Sequence, residues 1–367
     1  MKKYHLVRRS GQSLARRLVY YLIGILISLG IGAILLWSLG IAPLEFYGRM
    51  LSIGMIGNKY AYKNVEGFLK ILVPLLITSL ALGLSFKMRF WNIGGEGEFL
   101  AGAISAAIVA FTVTGLPRPV TIVLMCLAAM LSSGIMGLFV AFFKVKFNTN
   151  ETLVTLMINY IMLYVITYLG KTKEDWNFFL DPKSARPIFG KFPESAIMDG
   201  IKIGNFNLLW SVIIAVVLMV LIYIYLKYTK HGYEISVVGD SSATAKYAGM
   251  KVGKIVMRTM FISSAMIGLA AGLTASSSGT ISETITNNVG WTGIVVAWLS
   301  KLNVPAIAVT SVLISVLQFG CKTAATKYPA IDSNFADLLQ GIILFSVLAA
   351  DFFATFTLKR KEDAKNA

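Results

Sequence analysis

The chain has 367 residues, of which 56% are hydrophobic and 14% are charged. Soluble domains carry about 25% charged residues, so this composition, with a mean hydropathy of +0.71, excludes a soluble globular protein and indicates an integral membrane protein. The formal net charge is +16, but the basic residues cluster beside apolar runs, so membrane topology explains the charge better than nucleic-acid binding does. Two cysteines, Cys126 and Cys321, indicate neither a disulfide framework nor a metal site.

Ten apolar runs follow along the chain, and about 20 apolar residues are enough for one helix to cross a bilayer. They predict spans at 18–40, 66–86, 95–115, 119–143, 152–169, 207–226, 258–277, 291–301, 303–320 and 336–356. The expected fold class is therefore an all-α integral membrane protein with about ten transmembrane helices. We predict one transmembrane domain over 18–356, between a basic N-terminus at 1–17 and a tail at 357–367.

The basic residues lie mainly on one side of this arrangement. That side holds 21 of the 34 lysine and arginine residues: Lys2, Lys3, Arg8, Arg9, Arg16, Arg17, Lys87, Arg89, Lys144, Lys146, Lys227, Lys230, Lys246, Lys251, Lys254, Arg258, Lys301, Lys359, Arg360, Lys361 and Lys365. By the positive-inside rule, that side is the cytoplasm. We therefore expect both termini in the cytoplasm, a polar outer loop at 170–206 and a cytoplasmic segment at 227–257.

A glycine-rich motif, N-[I/V]-G-x-x-G, occurs twice inside the apolar sequence. The two copies are Asn92-Ile93-Gly94-Gly95-Glu96-Gly97 and Asn288-Val289-Gly290-Trp291-Thr292-Gly293. Either they recur by chance, or they mark a translocation pathway, because a broken membrane helix leaves backbone groups free to line a cavity. The predicted topology places the first motif towards the cytoplasm and the second towards the outside, as an inverted repeat of spans 2–5 and 7–10 would.

Polar groups inside the spans are costly, so they are expected to face the protein interior or water. Glu96 and Glu98 flank Gly97 and either cap the helix that follows or line the pathway. The fifth span carries one polar stripe, made of Glu151, Thr152, Thr155 and Asn159. This stripe either lines a cavity or binds a neighbouring helix, and both interpretations stay open.

Aromatic and small residues add two further patterns. Trp291, Trp298 and Tyr160 either stack on a flat ligand or anchor the protein at the membrane interface. The seventh span repeats a small residue every four positions, at Ser264, Gly268, Gly272 and Ser276. That ladder favours close helix packing over ligand contact.

Residues 227–257 form the largest segment on the basic side between two spans. Asp240-Ser241-Ser242 predicts a cap for a short helix from Ala243 to Tyr247, which Gly249 would end. Such a helix either docks on a peripheral partner or belongs to an ordinary connecting loop. If it docks, bulky charged residues at Ala245 and Gly249 are expected to block coupling while leaving the membrane fold intact. Residues 41–65, with Pro43 and several aromatics, predict an interfacial helix.

Four stretches together resemble the permease subunits of bacterial ABC importers, in the branch of ribose and branched-chain amino-acid permeases and its nucleoside or simple-sugar members. They are Phe86-Lys87 with Phe90 to Gly97, Asn150 to Tyr160, Gly232 to Gly239 with Ala245 to Gly249, and Gly290 to Ala297. The first looks like F-[KR]-x-G-x-F-N-I-G-x-E-G-Q, the second like N-E-x-[IV]-x-T-L-M-[LM]-N-Y and the fourth like G-W-T-G-I-A-V-A. The third resembles the family's cytoplasmic coupling segment. The resemblance covers residues 65–355.

The chain departs from this family pattern at a few positions. Arg89 stands where glycine is usual, Glu98 where glutamine is usual and Ser236 where arginine is common. Asp240-Ser241-Ser242 replaces the usual Asn-Pro part of the coupling loop. These departures affect the substrate and the ATPase contact rather than the protein class.

The resemblance implies a type II importer fold, with two permeases, two ATPase subunits and an extracellular substrate-binding lipoprotein in the bacterial cytoplasmic membrane. The second permease is expected to be a paralogue. The implied pathway residues are Asn92, Gly94, Glu96, Gly97, Glu98, Glu151, Thr155, Asn159, Gly290, Trp291 and Thr292. The implied coupling residues are Glu234, Gly239, Ala245, Lys246, Tyr247, Ala248 and Gly249.

We therefore expect a permease subunit that imports nucleosides, first of all purine nucleosides, and contacts membrane lipid but no nucleic acid. It is expected to be no enzyme and to bind no cofactor or metal, while ATP and Mg sit on the partner ATPase subunits. Riboflavin or a simple sugar is the alternative substrate. An ion-coupled secondary transporter is the alternative class, since Glu96, Glu98 and Glu151 lie in or beside predicted spans; a scaffolding membrane subunit is the third.

Overall fold

The computed structural model describes residues 4–8, 14–56, 58, 60–328, 331 and 333–360. Its helices are α1 Leu14–Ser38, α2 Pro43–Leu51, α3 Ala61–Lys87, α4 Gly95–Thr112, α5 Arg118–Phe147, α6 Glu151–Lys171, α7 Trp210–Tyr228, α8 Lys230–Asp240, α9 Ser242–Tyr247, α10 Val252–Ser278, α11 Val289–Leu299, α12 Val304–Ala325 and α13 Ser333–Thr355. Its strands are β1 Tyr4–Arg8, β2 Gly200–Ile203, β3 Phe206–Leu209 and β4 Phe356–Arg360.

Each of the ten predicted spans coincides with a helix. Among the described residues, eight helices are long and apolar enough to cross a membrane: α1, α3, α4, α5, α6, α7, α10 and α12. The other two predicted spans fall on α11, which has only 11 residues, and on α13, whose apolar part is Gly341–Thr355. The prediction of an α-helical membrane protein is confirmed. Of the predicted basic terminal residues, Lys2, Lys3, Arg9, Lys361 and Lys365 lie outside the described residues.

The chain divides into two compact units, residues 1–64 with 316–367 and residues 65–315. This division does not follow the predicted repeat halves, and the single domain over 18–356 and the inverted repeat both stay predictions. In the first unit, α1 lies against α13, and β1 pairs with β4 in antiparallel register from Tyr4–Arg360 to Arg8–Phe356. A core of buried apolar side chains, including Leu36, Phe46 and Met50, fixes α2 in this unit.

The second unit is built around α3, α4 and α10. Within their apolar windows, 72%, 72% and 67% of the residues are buried, against 17% for α7, so these three helices are central and α7 is peripheral. The small-residue ladder of α10 explains how closely the helices approach: a Cβ on Gly268 would collide with the Ala129 carbonyl of α5, and one on Gly272 would lie 3.2 Å from Cys126 Cα. The predicted close packing is confirmed.

The polar segment 172–209 packs on one end of this unit. Phe179 and Phe192 are buried and surround Phe111 at the end of α4. The Phe192 amide donates to the Gly279 carbonyl, and Ser276 Oγ donates to the Ala196 carbonyl. Strands β2 and β3 form an antiparallel hairpin within the segment. The segment therefore caps the bundle at the end where α4 and α10 finish.

The basic segment 227–257 is more helical than the sequence suggested. The predicted short helix is present as α9, with Ser241 as its cap: Ser241 Oγ accepts from the Thr244 amide at 3.1 Å. Gly249 follows it with a left-handed φ of +77°. Helix α8 was not predicted, although Thr229 caps it by accepting from the Gly232 amide at 3.2 Å. Residue Asp240 ends α8 and does not cap α9.

Candidate functional site

The first glycine motif forms a break between α3 and α4, and the polar stripe of α6 holds it. Asn159 Oδ1 accepts from the Gly97 amide at 2.8 Å, and Asn159 Nδ2 donates to the Ile93 carbonyl at 2.8 Å. Thr155 Oγ1 accepts from the Ile93 amide at 3.2 Å. These side chains satisfy backbone groups that the interrupted helix leaves without intrahelical partners. Thr155 and Asn159 therefore follow the second interpretation of the stripe, in which it binds a neighbouring element.

Gly97 allows this close approach between α4 and α6. A Cβ at Gly97 would lie 2.8 Å from the Ile158 carbonyl oxygen and 2.9 Å from the Asn159 nitrogen. No flexible side chain lies there to move away, because both atoms belong to the α6 backbone. The first break is therefore a fixed junction in which only glycine fits at this position.

The second glycine motif lies against the first. Asn287 and Asn288 both have left-handed backbone conformations, with φ of 48° and 58°, and they turn the chain into α11. The Gly290 amide in the first turn of α11 donates to Glu96 Oε1 at 2.9 Å. A Cβ at Gly290 would lie 2.5 Å from the Glu96 nitrogen. The two broken helices therefore start from one shared junction.

This contact corrects the expected placement of the motifs on opposite sides of the membrane. Residue Gly279 lies beside the capping segment at one end of the unit, and Gly290 lies beside α4, so residues 280–289 return the chain from that end to the first break. The spacing of the motifs along the sequence does not specify the depth to which the connecting segment re-enters.

Glu96 and Glu98 have different environments. Glu96 is buried and caps α11, a different helix from its own. Glu98 is also buried, and its carboxyl accepts from Ser264 Oγ at 2.8 Å and from Asn92 Nδ2 at 3.1 Å. Both side chains therefore link separate elements. Glu96 caps α11 and not, as the sequence had suggested, the helix that follows it, and a pathway role for either residue stays a prediction.

Most of the remaining predicted pathway residues lie at or beside the junction, and Glu151 lies away from it. Gly94, Asn92 and Thr292 are at the junction: the Gly94 amide donates to Asn92 Oδ1 at 3.0 Å, and Thr292 is buried. Trp291 lies beside them with its side chain half exposed. Glu151 lies elsewhere, at the start of α6, where it pairs with Lys144 at 2.8 Å. The pathway role of this set stays a prediction.

The end of α8 packs on the end of α3. A Cβ on Gly239 would collide with the Lys87 carbonyl, so the two backbones touch. Residue Glu234 of α8 accepts from Arg258 Nη2 of α10 at 2.8 Å, and this hydrogen bond holds the pKa of the Glu234 carboxyl below its usual value. Helix α8 is therefore fixed to both α3 and α10.

Helix α9 follows α8 and has most of its side chains exposed. Tyr247 is 96% exposed and Lys246, Ala248 and Gly249 are also exposed, whereas Ala245 is fully buried. A cleft of about 800 Å³ opens between α9, the α3–α4 turn and the α5–α6 turn. Basic and acidic side chains share its lining, namely Arg89, Lys144, Lys246, Glu151 and Asp240.

The burial of Ala245 corrects one expectation. A bulky charged residue there cannot leave the fold intact, because the position has no exposed surface. The exposed residues of α9 are the ones that a partner protein can reach. The bond from Arg258 to Glu234 and the helix α8 were not predicted, although Thr229 is a recognisable capping signal before Gly232.

Comparison with known proteins places the whole second unit in one family. The family model described as "Branched-chain amino acid transport system / permease component" matches residues 64–348. That range covers the two breaks, α8 and α9.

Curated relatives match over most of their own length. A protein of Lactococcus lactis subsp. cremoris, described as a nucleoside ABC transporter permease, is 27% identical over 83% of this chain and 84% of its own. A guanosine ABC transporter permease of Bacillus subtilis is 29% identical over 93% and 96%. A glucose ABC transporter permease of Haloferax volcanii is 24% identical over 90% and 87%.

Proposed function

The chain belongs to the family of permease components of branched-chain amino acid transport systems, and we propose that it is the permease subunit of an ATP-driven nucleoside importer. Purine nucleosides are the first candidate substrates, because one relative is named for guanosine and another for nucleosides. The structural observation that carries the proposal is the junction of two broken helices inside a multi-pass membrane protein, joined by Glu96 and Gly290.

The proposed complex contains a second permease, expected to be a paralogue, two ATPase subunits and an extracellular substrate-binding lipoprotein. The chain lies in the bacterial cytoplasmic membrane with both termini in the cytoplasm. It holds neither cofactor nor metal and hydrolyses no ATP itself, and ATP and Mg occupy the partner ATPase subunits. The clustering of Arg89, Lys144 and Lys246 around one cleft supports a cytoplasmic position for that end.

The contacts of α8 and α9 support a mechanical coupling route. ATP binding to the partner displaces α9, whose exposed Tyr247 and Lys246 meet that partner. Helix α8 carries the displacement to the end of α3 through Gly239 and to α10 through the Glu234–Arg258 pair. Because α3 leads directly into the first break and α10 leads towards the second, both broken helices receive the movement together.

Transport by the reconstituted complex tests this proposal. The complete complex is placed in liposomes, and uptake of labelled guanosine is measured with ATP available to the ATPase subunits. We expect uptake that requires ATP and the binding protein and that stops when the ATPase subunits are hydrolysis-deficient. Riboflavin and glucose serve as competing solutes that represent the alternative substrates.

The controls separate the alternative classes. An ionophore that collapses proton and sodium gradients should leave the uptake unchanged. Uptake driven by such a gradient without ATPase subunits would contradict the proposal and favour a secondary transporter. The proposal would also be contradicted if no ATPase subunit co-purifies with the chain from its native host, even after crosslinking.

A further inference from the structure

Three tryptophans lie on or beside the exposed face of α11. Residues Trp291 and Trp298 are 43% and 39% exposed, and they are seven positions apart, so they share one side of the helix. Between them, Thr292, Gly293, Val296 and Ala297 are buried against the rest of the unit. Trp91, which immediately precedes the first glycine motif, is 46% exposed and lies beside Trp298.

The indoles of Trp91 and Trp298 are stacked. Their ring centroids are 5.1 Å apart and their planes differ by 20°. Phe86 at the end of α3 supports the stack, with its ring centroid 5.5 Å from that of Trp298. The stack therefore joins the segment before the first break to the end of the helix after the second break.

This aromatic face runs from the stack towards the middle of the membrane. Gly293 packs against Thr78 and Ser79 of α3. Thr78 is nine residues before the last residue of α3, which is about 14 Å along a helix axis. If Lys87, at the end of α3, marks the edge of a hydrocarbon core about 30 Å thick, Trp291 lies near the middle of that core.

A tryptophan at that depth is unusual for a lipid-facing position. Interfacial tryptophans anchor the ends of spans at headgroup level. Trp37, Trp176 and Trp210 fit that role, in the last turn of α1, in the capping segment and at the first residue of α7. The stack of Trp91 and Trp298 lies at the ends of α3 and α11, so Trp291 is the tryptophan that departs from it. The exposed side chains of α7 between its ends are instead aliphatic, such as Val217 and Leu221.

We propose that Trp91, Trp291 and Trp298 form a stacking track that binds the planar heterocycle of the transported solute as it passes the junction. The inference rests on the proposed function and specifies where a nucleobase makes contact. Aromatic side chains bind every base through its π-face without reading hydrogen-bonding edges. Such a track suits a permease whose selectivity comes from a separate binding protein.

The junction supports this assignment because its polar side chains on α4 and α6 are already bonded within the fold. The carboxyl of Glu96, the amide of Asn159 and the hydroxyl of Thr155 each have a partner within the fold. The half-exposed indoles of Trp91, Trp291 and Trp298 keep an open surface beside the junction. Binding through stacking would therefore leave the polar contacts that hold the two breaks undisturbed.

The test compares leucine and aromatic replacements in the complete reconstituted complex. We expect W91L and W298L to lower guanosine uptake about tenfold, and W91Y and W298F to keep it within about threefold, because base stacking requires an aromatic ring. W210L, which replaces an exposed tryptophan at the start of α7, is the matched control and should keep wild-type uptake.

Photolabelling supplies a readout that a packing role would not change. The probe 8-azidoguanosine should label peptides within 86–98 or 289–299, excess guanosine should block the labelling, and ribose should not. Three outcomes would overturn the track: wild-type uptake in the leucine variants, an equal loss in leucine and aromatic variants, or labelling confined to other segments. If the wild-type complex still takes up guanosine with ATP, the proposed function stands in each case. Absence of ATP-driven guanosine uptake in the wild type would overturn both.

Discussion

The helix junction and the α8–α9 segment lie in the same compact unit but use their polar groups in opposite ways. At the junction, Asn159, Thr155 and Glu96 turn inward and satisfy backbone groups of other elements. In α9, Tyr247 and Lys246 turn outward. In the proposed coupling route, the closed junction transmits movement because its parts are fixed to each other, and the exposed α9 is the surface that contacts the partner protein. Substitutions should therefore affect stability at the junction and coupling at α9.

The largest expected effect comes from filling the contact between the two breaks. Gly290→Val should abolish uptake and destabilise the protein by about 3 kcal/mol, since the added carbons meet the α4 backbone first, at the Glu96 nitrogen and the Gly95 carbonyl carbon. Thermal unfolding of the purified complex measures the stability. The matched control is Gly30→Val in α1, where a Cβ meets nothing within 4 Å. Equal destabilisation by the two variants would contradict the claim that the cost arises from the contact between the two breaks.

Removing the α6 bridge should have the next largest effect. Asn159→Ala leaves the Gly97 amide and the Ile93 carbonyl without their partner inside the protein, and each unsatisfied group costs about 1–3 kcal/mol. We expect a clear fall in the unfolding temperature together with weaker uptake. Thr112→Ala, at the exposed end of α4, should change neither, and a silent Asn159→Ala would mean that water replaces the bridge.

At α9 the expected effect is on coupling alone. Tyr247→Ala should lower substrate-stimulated ATP hydrolysis about fivefold, the effect of about 1 kcal/mol of partner contact, while the unfolding temperature stays the same. The exposed tyrosine Tyr228, at the end of α7, provides the control as Tyr228→Ala. Normal stimulation in the Tyr247 variant would place the docking surface elsewhere on this end.

The smallest effect is expected at the Glu234–Arg258 pair, which joins α8 to α10. The Arg258 hydrogen bond lowers the pKa of Glu234 in the folded protein, so the ionised pair contributes stability above the usual carboxyl pKa of about 4.3. That contribution is lost as the pH falls through the lowered folded pKa.

Glu234→Gln should therefore lower stability at pH 7 by less than about 1 kcal/mol, because the pair is partly exposed. The difference from wild type should shrink in acid. Unfolding temperatures measured from pH 7 to pH 3 check this, with Glu174→Gln in the exposed capping segment as the control. A difference that persists at pH 3 would mean that packing of Glu234, and not its charge, matters.

Hydropathy alone located the ten main helices, because each apolar run of sufficient length must satisfy its backbone hydrogen bonds within itself in a membrane. Capping residues located α9, since Ser241 and Gly249 are local start and stop signals. Helix α8 escaped prediction because its polar and apolar residues form no long run, and its stability comes from contacts with Lys87 and Arg258.

The sequence by itself determined the membrane class, the positions of the helices and the two glycine breaks, since these depend on local composition and spacing. Only the tertiary structure decided that the breaks meet, that Glu96 caps α11 and that Asn159 binds the α3–α4 turn. Those contacts join residues 62 to 194 positions apart, and no local propensity specifies which distant amide a buried carboxyl reaches. Close packing of α4 against α6 and α11, which Gly97 and Gly290 permit, brings these partners together.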